Sequence, residues 1–250
     1  MIGLIPVRFE NPVPIGFGLK NFAESVSKFV ESGDVVSISS KVISYCEGRV
    51  VNLSDVEPSE NALELSRICK LDPKLCELII KEADEILGCV DGFVLTLKFG
   101  MLCPNAGIDT SNAPEGFAVL YPENPKKSAD LLRKCLERYV NDVGVVITDS
   151  RILPLRRGVC GIALAYSGFK ALVDERGKSD IFGKPLKSTF RNLADMIACA
   201  SQLLMGESSE LTPVVILRGL NVEFGEFDED LSIEPMECLY RPLFGGMLHG

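Results

Sequence analysis

The sequence lacks the residues on which several common kinds of site depend. Its only histidine, His249, lies next to the C-terminus, so a Ser-His-Asp triad or another histidine-based catalytic centre is not expected. No apolar run approaches the roughly 18 residues that a membrane span requires, and the opening MIGLIPVRFE lacks the basic start of a signal peptide. We therefore expect a cytoplasmic protein that does not span a membrane and begins with a strand.

The sequence has fewer basic than acidic residues: 26 lysines and arginines against 35 aspartates and glutamates, which gives a net charge of −9. This balance argues against nucleic acid as a partner, because nucleic-acid binding relies on a broad basic surface. An anionic small substrate would need a local concentration of basic side chains, or a metal ion, to offset the negative field of the protein.

The nine cysteines are odd in number, and none of them forms a C-x-x-C pair. Disulfide frameworks and cysteine metal sites usually show paired spacings, so neither is expected. Most of the cysteines lie in apolar segments such as MIACASQLL. They are predicted to be buried free thiols in a reducing compartment.

Strands and helices follow one another in an irregular order. Short apolar or alternating runs predict strands at residues 2–8, 34–39, 92–99, 117–121, 143–148, 159–166 and 213–218. Apolar periodicity and N-cap signals predict helices at residues 21–32, 72–87, 128–140 and 188–205. This order favours an α+β (mixed α/β) architecture. We expect residues 1–250 to form one domain, or two interleaved subdomains, with the acidic residues 222–250 as a peripheral or dimer-contacting segment.

Oxygen-bearing side chains gather in three loops next to apolar runs. The loops are NAGIDTSNAPEG at 105–116, TDS at 148–150 and MGESSELT at 205–212. If the fold brings them together, their acidic side chains would suit Mg²⁺ or Mn²⁺ and a bound phosphate. Ordinary turns and helix caps account for each loop taken alone, and the residues by themselves do not decide between the two readings.

Seven ordered segments make the sequence similar to a known family. They are SKVISYCEGR (40–49), FGMLCPNAGIDTSNAPEG (99–116), VGVVITDS (143–150), RRGVCGIALAYSG (156–168), SDIFGKPL (179–186), LADMIACASQLLMGE (193–207) and PVVILRGLN (213–221). Together they resemble the coenzyme F420-0:γ-glutamyl ligase family over almost the whole chain. The stretch NAGIDxSN is the most specific of these elements.

The resemblance implies a GTP-dependent ligase that adds L-glutamate, through a γ-glutamyl amide bond, to F420-0. F420-0 is a deazaflavin whose phospholactyl tail ends in a carboxylate. GTP would phosphorylate this carboxylate, and the amine of glutamate would then attack the acyl phosphate. The resemblance further implies two divalent cations, Mg²⁺ or Mn²⁺, with K⁺ as a further candidate, an α+β fold that forms a homodimer, and an archaeal or actinobacterial host.

The same resemblance assigns roles to individual residues of this chain. The implied metal ligands are Asp109, Asp149, Ser150 and Glu207, of which the two aspartates are the implied catalytic residues. The implied nucleotide-binding positions are Val13, Pro14, Ile15, Ser40, Lys41, Tyr45, Asn112, Met205, Gly206, Glu207, Ser208 and Ser209.

Four departures from the family pattern lie near the implied nucleotide site. Tyr45 stands where a lysine is typical and cannot supply a cation, and Pro12 replaces a glycine. Arg151 begins an altered run after Asp149-Ser150, and Ser208-Ser209-Glu210 replaces a glycine-rich loop. These changes leave an alternative open, a weakened paralogue that binds nucleotide or deazaflavin without ligating, or that ligates a different carboxylate.

Overall fold

The computed structural model describes residues 1–240. Its helices are α1 Leu19–Ser27, α2 Ser40–Glu47, α3 Glu60–Cys69, α4 Pro73–Glu82, α5 Pro125–Leu136 and α6 Leu193–Met205. Its strands are β1 Gly3–Val7, β2 Val35–Ser39, β3 Val50–Asn52, β4 Glu85–Val90, β5 Phe93–Lys98, β6 Met101–Pro104, β7 Phe117–Val119, β8 Gly144–Ile152, β9 Val159–Ser167, β10 Leu172–Asp174, β11 Phe190–Asn192 and β12 Val214–Arg218. His249 and the last ten residues of the segment 222–250 lie outside the described residues.

The described residues form an α+β structure, as the sequence predicts. They divide into two compact units, Met1–Glu47 with Asn124–Leu231, and Gly48–Glu123 with the residues from Ser232 onward. The first unit is built on a five-stranded sheet in the order β1-β12-β2-β8-β9. Within this sheet β2 and β8 are parallel neighbours, and the remaining pairs are antiparallel. Each helix among residues 1–240 is too short or too polar to span a lipid bilayer.

Helices cover both faces of this sheet. On one face, Val145 of β8 lies in an apolar cluster with Phe22 of α1 and Leu132 of α5. On the other face, Val146 lies in a second cluster with Ile197 of α6. Because side chains from both faces are buried, β2 and β8 read as nearly continuous apolar runs in the sequence.

Residues 222–231 of the acidic segment are part of the first unit. Phe224, Phe227 and Leu231 are partly buried against the second apolar cluster. The hydroxyl of Tyr166 donates to the carbonyl oxygen of Glu229 at 3.0 Å. Apolar side chains therefore anchor residues 222–231 despite the acidic composition of the segment.

Two predicted helices are too long because strands occupy one end of each. The predicted helix at 72–87 ends early, since residues 85–90 form β4 and pair with β5. The predicted helix at 188–205 starts late, since residues 190–192 form β11 and pair with β10. In both cases a short tertiary pairing overrides the helical periodicity.

The predicted helix at 128–140 begins and ends earlier than expected. Its N-cap is Asn124, whose side-chain oxygen accepts the N–H of Lys127 at 2.9 Å, and Pro125 occupies the first turn. Ser128, the predicted cap, lies inside the helix instead and donates to the carbonyl oxygen of Asn124 at 3.1 Å.

The second unit contains the small sheets β3-β7 and β4-β5-β6. Cys69 at the end of α3 and Cys89 of β4 form a disulfide, so the prediction of free thiols is wrong for this pair. Their separation of 20 residues follows no paired motif, because the two thiols meet through the packing of α3 against β4. The remaining described cysteines are free thiols, but of these only Cys46, Cys76 and Cys103 are buried as predicted.

A carboxylate links the first turn of α3 to α4 in this unit. Glu77 accepts hydrogen bonds from the Ser59 hydroxyl at 2.6 Å and the Ser59 backbone N–H at 2.9 Å, and it pairs with Lys81 at 3.1 Å. The hydroxyl of Ser59 also caps α3, since it accepts the N–H of Ala62. These donors, the Ser59 hydroxyl first, lower the pKa of Glu77 from 4.5 to about 2.

Acid is therefore expected to weaken the fold through Glu77. A lowered pKa in the folded state stabilises the protein above pH 4.5, and this contribution is lost as the pH falls toward about 2. Urea unfolding across this range should show a falling free energy of unfolding in the wild type and a flatter dependence in Glu77→Gln. The matched variant Glu64→Gln, on the exposed side of α3, should keep the wild-type slope. Equal slopes in all three proteins would contradict the assignment.

Candidate active site

One end of the five-stranded sheet gathers several of the segments that the sequence singles out. β2 and β8 run parallel, and Ser39, the last residue of β2, lies opposite Thr148, so the last residues of β8 extend beyond the carboxyl end of β2. β12 runs antiparallel to β2 and begins at this end with Val214, and β1 ends there because Val7 pairs with Val214. The segments that follow β1 and β2, the last residues of β8 and the loop before β12 therefore share one end of the sheet, where α/β folds commonly carry their chemistry.

Asp149 is held at this end of the sheet by a hydrogen bond from Ser40. Ser40 opens α2 and is only 2% exposed, and its Oγ donates to Oδ1 of Asp149 at 2.9 Å. One turn later, the hydroxyl of Ser44 donates to the carbonyl oxygen of Ser40 at 3.1 Å. The carboxylate and hydroxyl oxygens are hard donors of the kind that Mg²⁺ and Mn²⁺ prefer.

Ser40 and Lys41 form the first turn of α2 at the same end of the sheet. Lys41 is half-buried. Backbone N–H groups at the start of a helix, together with the helix dipole, favour a bound anion. The turn is thus suited to a phosphate next to Asp149.

Tyr45 and the predicted positions 13–15 meet at the other end of α2. The N–H of Gly16 donates to the carbonyl oxygen of Tyr45 at 2.7 Å, and the N–H of Gly18 donates to that of Cys46 at 3.0 Å. Val13 is buried in the first apolar cluster, while Pro14 and Ile15 are exposed. Burial raises the pKa of Tyr45, and a tyrosine side chain carries no positive charge in either protonation state.

The loop that contains Met205, Gly206 and Glu207 begins at the end of α6. Gly206 ends the helix with a positive φ of 69°, and a Cβ there would overlap the carboxylate of Glu210. Glu207 accepts a hydrogen bond from Gln202 of α6.

The rest of this loop is closed on itself by Glu210. Its carboxylate accepts the backbone N–H of Ser208 at 2.8 Å, and Ser209 is exposed beside it. A negatively charged side chain therefore already occupies one backbone donor of the loop. The loop then enters β12, where the N–H of Ser39 donates to the carbonyl oxygen of Pro213 at 2.9 Å.

The NAGIDTSNAPEG loop belongs to the second unit. It opens with three consecutive left-handed residues whose φ values lie between 53° and 73°: Asn105, Ala106 and Gly107. The N–H of Val94 donates to Oδ1 of Asn105 at 2.8 Å, and the N–H of Ala106 donates to Oγ1 of Thr96 at 3.0 Å. The strand β5 thus holds the backbone of the loop in a conformation that non-glycine residues seldom adopt.

Asp109 and Asn112 lie further along the same loop. Backbone hydrogen bonds in both directions join Asp109 to Val119, at 3.0 and 2.8 Å. The carboxylate of Asp109 accepts the N–H of Ser111 at 2.7 Å and the Ser111 hydroxyl at 2.6 Å. Asn112 is exposed with a φ of 51°. Asp109 is therefore oriented by its own loop, in the second unit, whereas Asp149, Ser150 and Glu207 belong to the first.

The fit to a divalent cation is best judged at Asp149. Among residues 1–240, no group of three or more carboxylate, thiol or imidazole side chains is placed to hold a metal ion. Mg²⁺ commonly keeps several waters and binds through one or two carboxylates together with substrate phosphates. Asp149 with the Ser40 hydroxyl fits this mode of binding.

Sequence reasoning missed Asp195, which fixes α6 against the sheet. Its carboxylate accepts the backbone N–H of Ala163 in β9 at 2.9 Å and the side-chain amide of Asn192 at 2.7 Å. Burial raises the pKa of Asp195, while the Ala163 N–H and the charge of Arg151 act in the opposite direction. The signal was readable, because Asn192 and Asp195 have the spacing of a helix capping box.

Comparison with known proteins agrees with the resemblance. A family model described as F420-0:γ-glutamyl ligase matches residues 19–219. The chain belongs to this family. The match runs from the first residue of α1 to just past β12 and includes most of the residues of both units.

Archaeal relatives of the ligase family cover nearly the whole chain. A protein named coenzyme F420:L-glutamate ligase from Methanopyrus kandleri is 41% identical in an alignment of 235 residues that covers 91% of this chain and 93% of the relative. Proteins of the same name from Methanocaldococcus jannaschii and Archaeoglobus fulgidus are 39% and 41% identical, over 92% and 89% of this chain and 94% and 91% of their own lengths.

Proposed function

We propose that this chain joins L-glutamate to F420-0 through a γ-glutamyl amide bond, with GTP and a divalent cation. The observation that carries the proposal is the similarity, over about nine tenths of the chain, to proteins named coenzyme F420:L-glutamate ligase. The matching family model is described as F420-0:γ-glutamyl ligase, which names the same acceptor and the same bond. The gathering of Ser40, Lys41 and Asp149 at one end of a sheet supports it independently.

The proposed reaction begins with activation of a carboxylate. The γ-phosphoryl group of GTP is transferred to the terminal carboxylate of F420-0, which yields an acyl phosphate and GDP. The amine of glutamate then attacks the acyl carbon, phosphate leaves with the electron pair of the broken C–O bond, and the amine loses a proton as the amide forms. A free carboxylate is a poor electrophile, and phosphorylation supplies the leaving group that it lacks.

The residues of this chain would act mainly by positioning and by charge. A bound Mg²⁺ or Mn²⁺ would supply Lewis-acid neutralisation of the phosphate oxygens. Asp149 and Ser150 are proposed metal ligands, with Ser40 orienting Asp149, and the first turn of α2 would receive phosphate oxygens. Glu207 of the first unit and Asp109 of the second are also proposed metal ligands. K⁺ is a further proposed cation.

The nucleotide site is proposed to differ from that of typical family members. Tyr45 contributes no positive charge, and Glu210 occupies the backbone N–H of Ser208. The proposed nucleotide contacts are therefore Ser40 and Lys41, with positions 13–15, Asn112 and the loop from Met205 to Ser209 as further contacts. Fewer cations near the phosphates would make binding of GTP depend more strongly on the divalent cation.

The proposed enzyme is also expected to form a homodimer. The outer face of α6 carries a stripe of exposed side chains at helical spacing, Met196, Cys199 and Leu203, and Leu203 is 80% exposed. Apolar side chains so exposed on a helix often pack against a partner molecule. Sedimentation of the purified protein measures its mass in solution, which should be that of a dimer.

Product formation tests the proposed function directly. Incubation of the purified protein with GTP, Mn²⁺, F420-0 and L-glutamate should yield glutamylated F420 by mass spectrometry and an equal amount of GDP. Omission of GTP, addition of EDTA, or replacement of L-glutamate by D-glutamate should each remove most of the product. Failure to form either product or GDP, in a sample that still binds F420-0, would instead support the weakened paralogue.

A further inference from the structure

The strand that carries Asp149 continues outward with a series of arginines. β8 ends at Ile152, and β9 starts at Val159, so residues 153–158 form the end of a long hairpin. Arg151 lies in β8, and Arg156 and Arg157 lie in the hairpin end. These three cations occupy one short segment of a protein whose net charge is −9.

Arg151 shares a face of the sheet with Asp149. In the antiparallel register Asp149 lies opposite Ile162 and Arg151 lies opposite Cys160. Alternate residues of a strand point to the same face, and a rise of about 3.3 Å per residue places the Cα of Arg151 about 7 Å beyond that of Asp149. A group bound at Arg151 would therefore lie next to the proposed site of phosphoryl transfer.

None of the three arginines forms a salt bridge among residues 1–240, although the charge of Arg151 acts on the carboxylate of Asp195. Within the described part of the chain, no salt bridge joins Arg151, Arg156 or Arg157 to a carboxylate, and residues 150–160 contain no acidic side chain. By contrast, Arg133, Arg176, Arg191 and Arg218 of the same unit are each paired with a carboxylate. The hairpin end therefore carries positive charge that no salt bridge of the described residues offsets.

Exposed apolar side chains lie between these cations. Ile152, Leu153 and Leu155 are all exposed, and Leu155 is fully so, with a φ of 56°. A leucine in the left-handed region with no packing partner gains nothing from burial in this unit. The hairpin end therefore offers an apolar surface flanked by guanidinium groups, and guanidinium groups also stack on flat aromatic rings.

We propose that the β8–β9 hairpin end is the binding site for the anionic acceptor of the ligase reaction, F420-0. This inference rests on the proposed function and adds the residues that select its acceptor. Arg151 would bind the reacting carboxylate beside Asp149, and Arg156 and Arg157 would bind the phosphodiester of the tail. The flat deazaflavin ring would lie on Leu153 and Leu155. Charge complementarity favours this occupant over a second copy of a protein that is itself strongly acidic.

Equilibrium binding separates this inference from the ligase activity. F420-0 would be titrated calorimetrically into wild type, Arg156→Gln/Arg157→Gln and Leu155→Ser without GTP. The control is Arg138→Gln, an exposed arginine after α5 that forms no salt bridge among the described residues. We expect the double variant to weaken binding at least about tenfold, with a smaller dependence on salt, because two charge-assisted contacts are lost. Leu155→Ser should weaken binding a few-fold, and Arg138→Gln should match the wild type.

Kinetics then identify the step that the hairpin serves. The double variant should raise KM for F420-0 while kcat and the KM for GTP stay near wild type, whereas Arg151→Gln should also lower kcat. Wild-type affinity for F420-0 in the double variant would overturn the inference. The inference would also be overturned if the variants dissociate from a dimer to monomers while F420-0 binding stays intact, because the hairpin would then contact a second copy. If the wild type forms the ligated product and the hairpin variants bind F420-0 with wild-type affinity, the hairpin inference is refuted and the proposed function stands. If F420-0 binds tightly to the wild type and weakly to the hairpin variants but no product forms, the proposed function is refuted and the hairpin inference stands.

Discussion

Replacement of Asp149 by asparagine is expected to lower the rate of product formation at least about a hundredfold. Asparagine keeps the shape of the side chain and can still accept the hydrogen bond from Ser40, which is 2.9 Å long in the wild type. It removes the negative charge on which the proposed binding of a divalent cation depends. If the proposed cation is lost, about 3 kcal/mol or more of phosphate-charge stabilisation is lost with it, and each 1.4 kcal/mol corresponds to a factor of about ten in rate.

A thermal-shift titration with Mn²⁺ and GTP distinguishes lost metal binding from lost folding. Wild type should be stabilised by the pair of ligands, and Asp149→Asn should keep its melting temperature without ligands but lose most of that stabilisation. Asp91→Asn is the matched control, because Asp91 is an exposed aspartate paired with an equally exposed lysine, Lys70. Undiminished stabilisation by Mn²⁺ and GTP in Asp149→Asn would remove Asp149 from the metal site.

Ser40→Ala removes the same hydrogen bond from its other side and tests whether Ser40 orients the carboxylate of Asp149. It removes the donor and leaves the charge of Asp149 in place. The rate should therefore fall by less than in Asp149→Asn, and binding of the cation should persist. This order of effects follows from the roles assigned to the two residues, and reversal of the order would contradict those roles.

The sequence predicted the strands correctly where both faces of a strand are buried. β2 and β8 appear as apolar runs, and their predicted positions agree with the structure to within a few residues. β3, β10 and β11 contain three residues each, too few to establish an alternation of apolar and polar residues. Their existence depends on pairing partners distant in the chain, which periodicity within a short window does not reveal.

The sequence indicated candidate residues for the site but not how they are arranged. The position of Asp149 at the end of an apolar strand pointed to chemistry there. Its hydrogen bond with Ser40 joins residues 109 apart in sequence, and depends on the parallel pairing of β2 with β8. Likewise, the occupation of the Ser208 N–H by Glu210 depends on the path of a loop that composition describes only as acidic.

The disulfide between Cys69 and Cys89 shows the same limit. Spacing rules detect cysteines whose pairing is local, as in metal-binding and redox motifs. Here the end of α3 and the strand β4 are brought together by packing within the second unit. The missing paired spacing therefore predicted free thiols, and only the tertiary structure shows that these two cysteines meet.

Gly107→Ala is expected to destabilise the protein by about 2–5 kcal/mol through the NAGIDTSNAPEG loop. Gly107 has a φ of 73°, and a left-handed conformation costs alanine about 1–2 kcal/mol. The new Cβ would also overlap the ring of Tyr121, which is only 7% exposed and stacks on Phe99 with a centroid distance of 6.3 Å. Overpacking of a buried site adds about 1–3 kcal/mol. Urea unfolding measures the sum.

Gly116→Ala separates the two contributions, because this glycine ends the same loop with a φ of 79° but has nothing within 4 Å of the position of a Cβ. It should lose only the conformational part, about 1–2 kcal/mol. Addition of Tyr121→Leu should recover part of the loss in Gly107→Ala, since the smaller side chain removes the ring that the Cβ overlaps. If the two glycine variants are equally stable, the ring makes no contribution. Asp109 lies two residues beyond Gly107, so displacement of this turn would also move the carboxylate that the loop holds by the N–H and hydroxyl of Ser111.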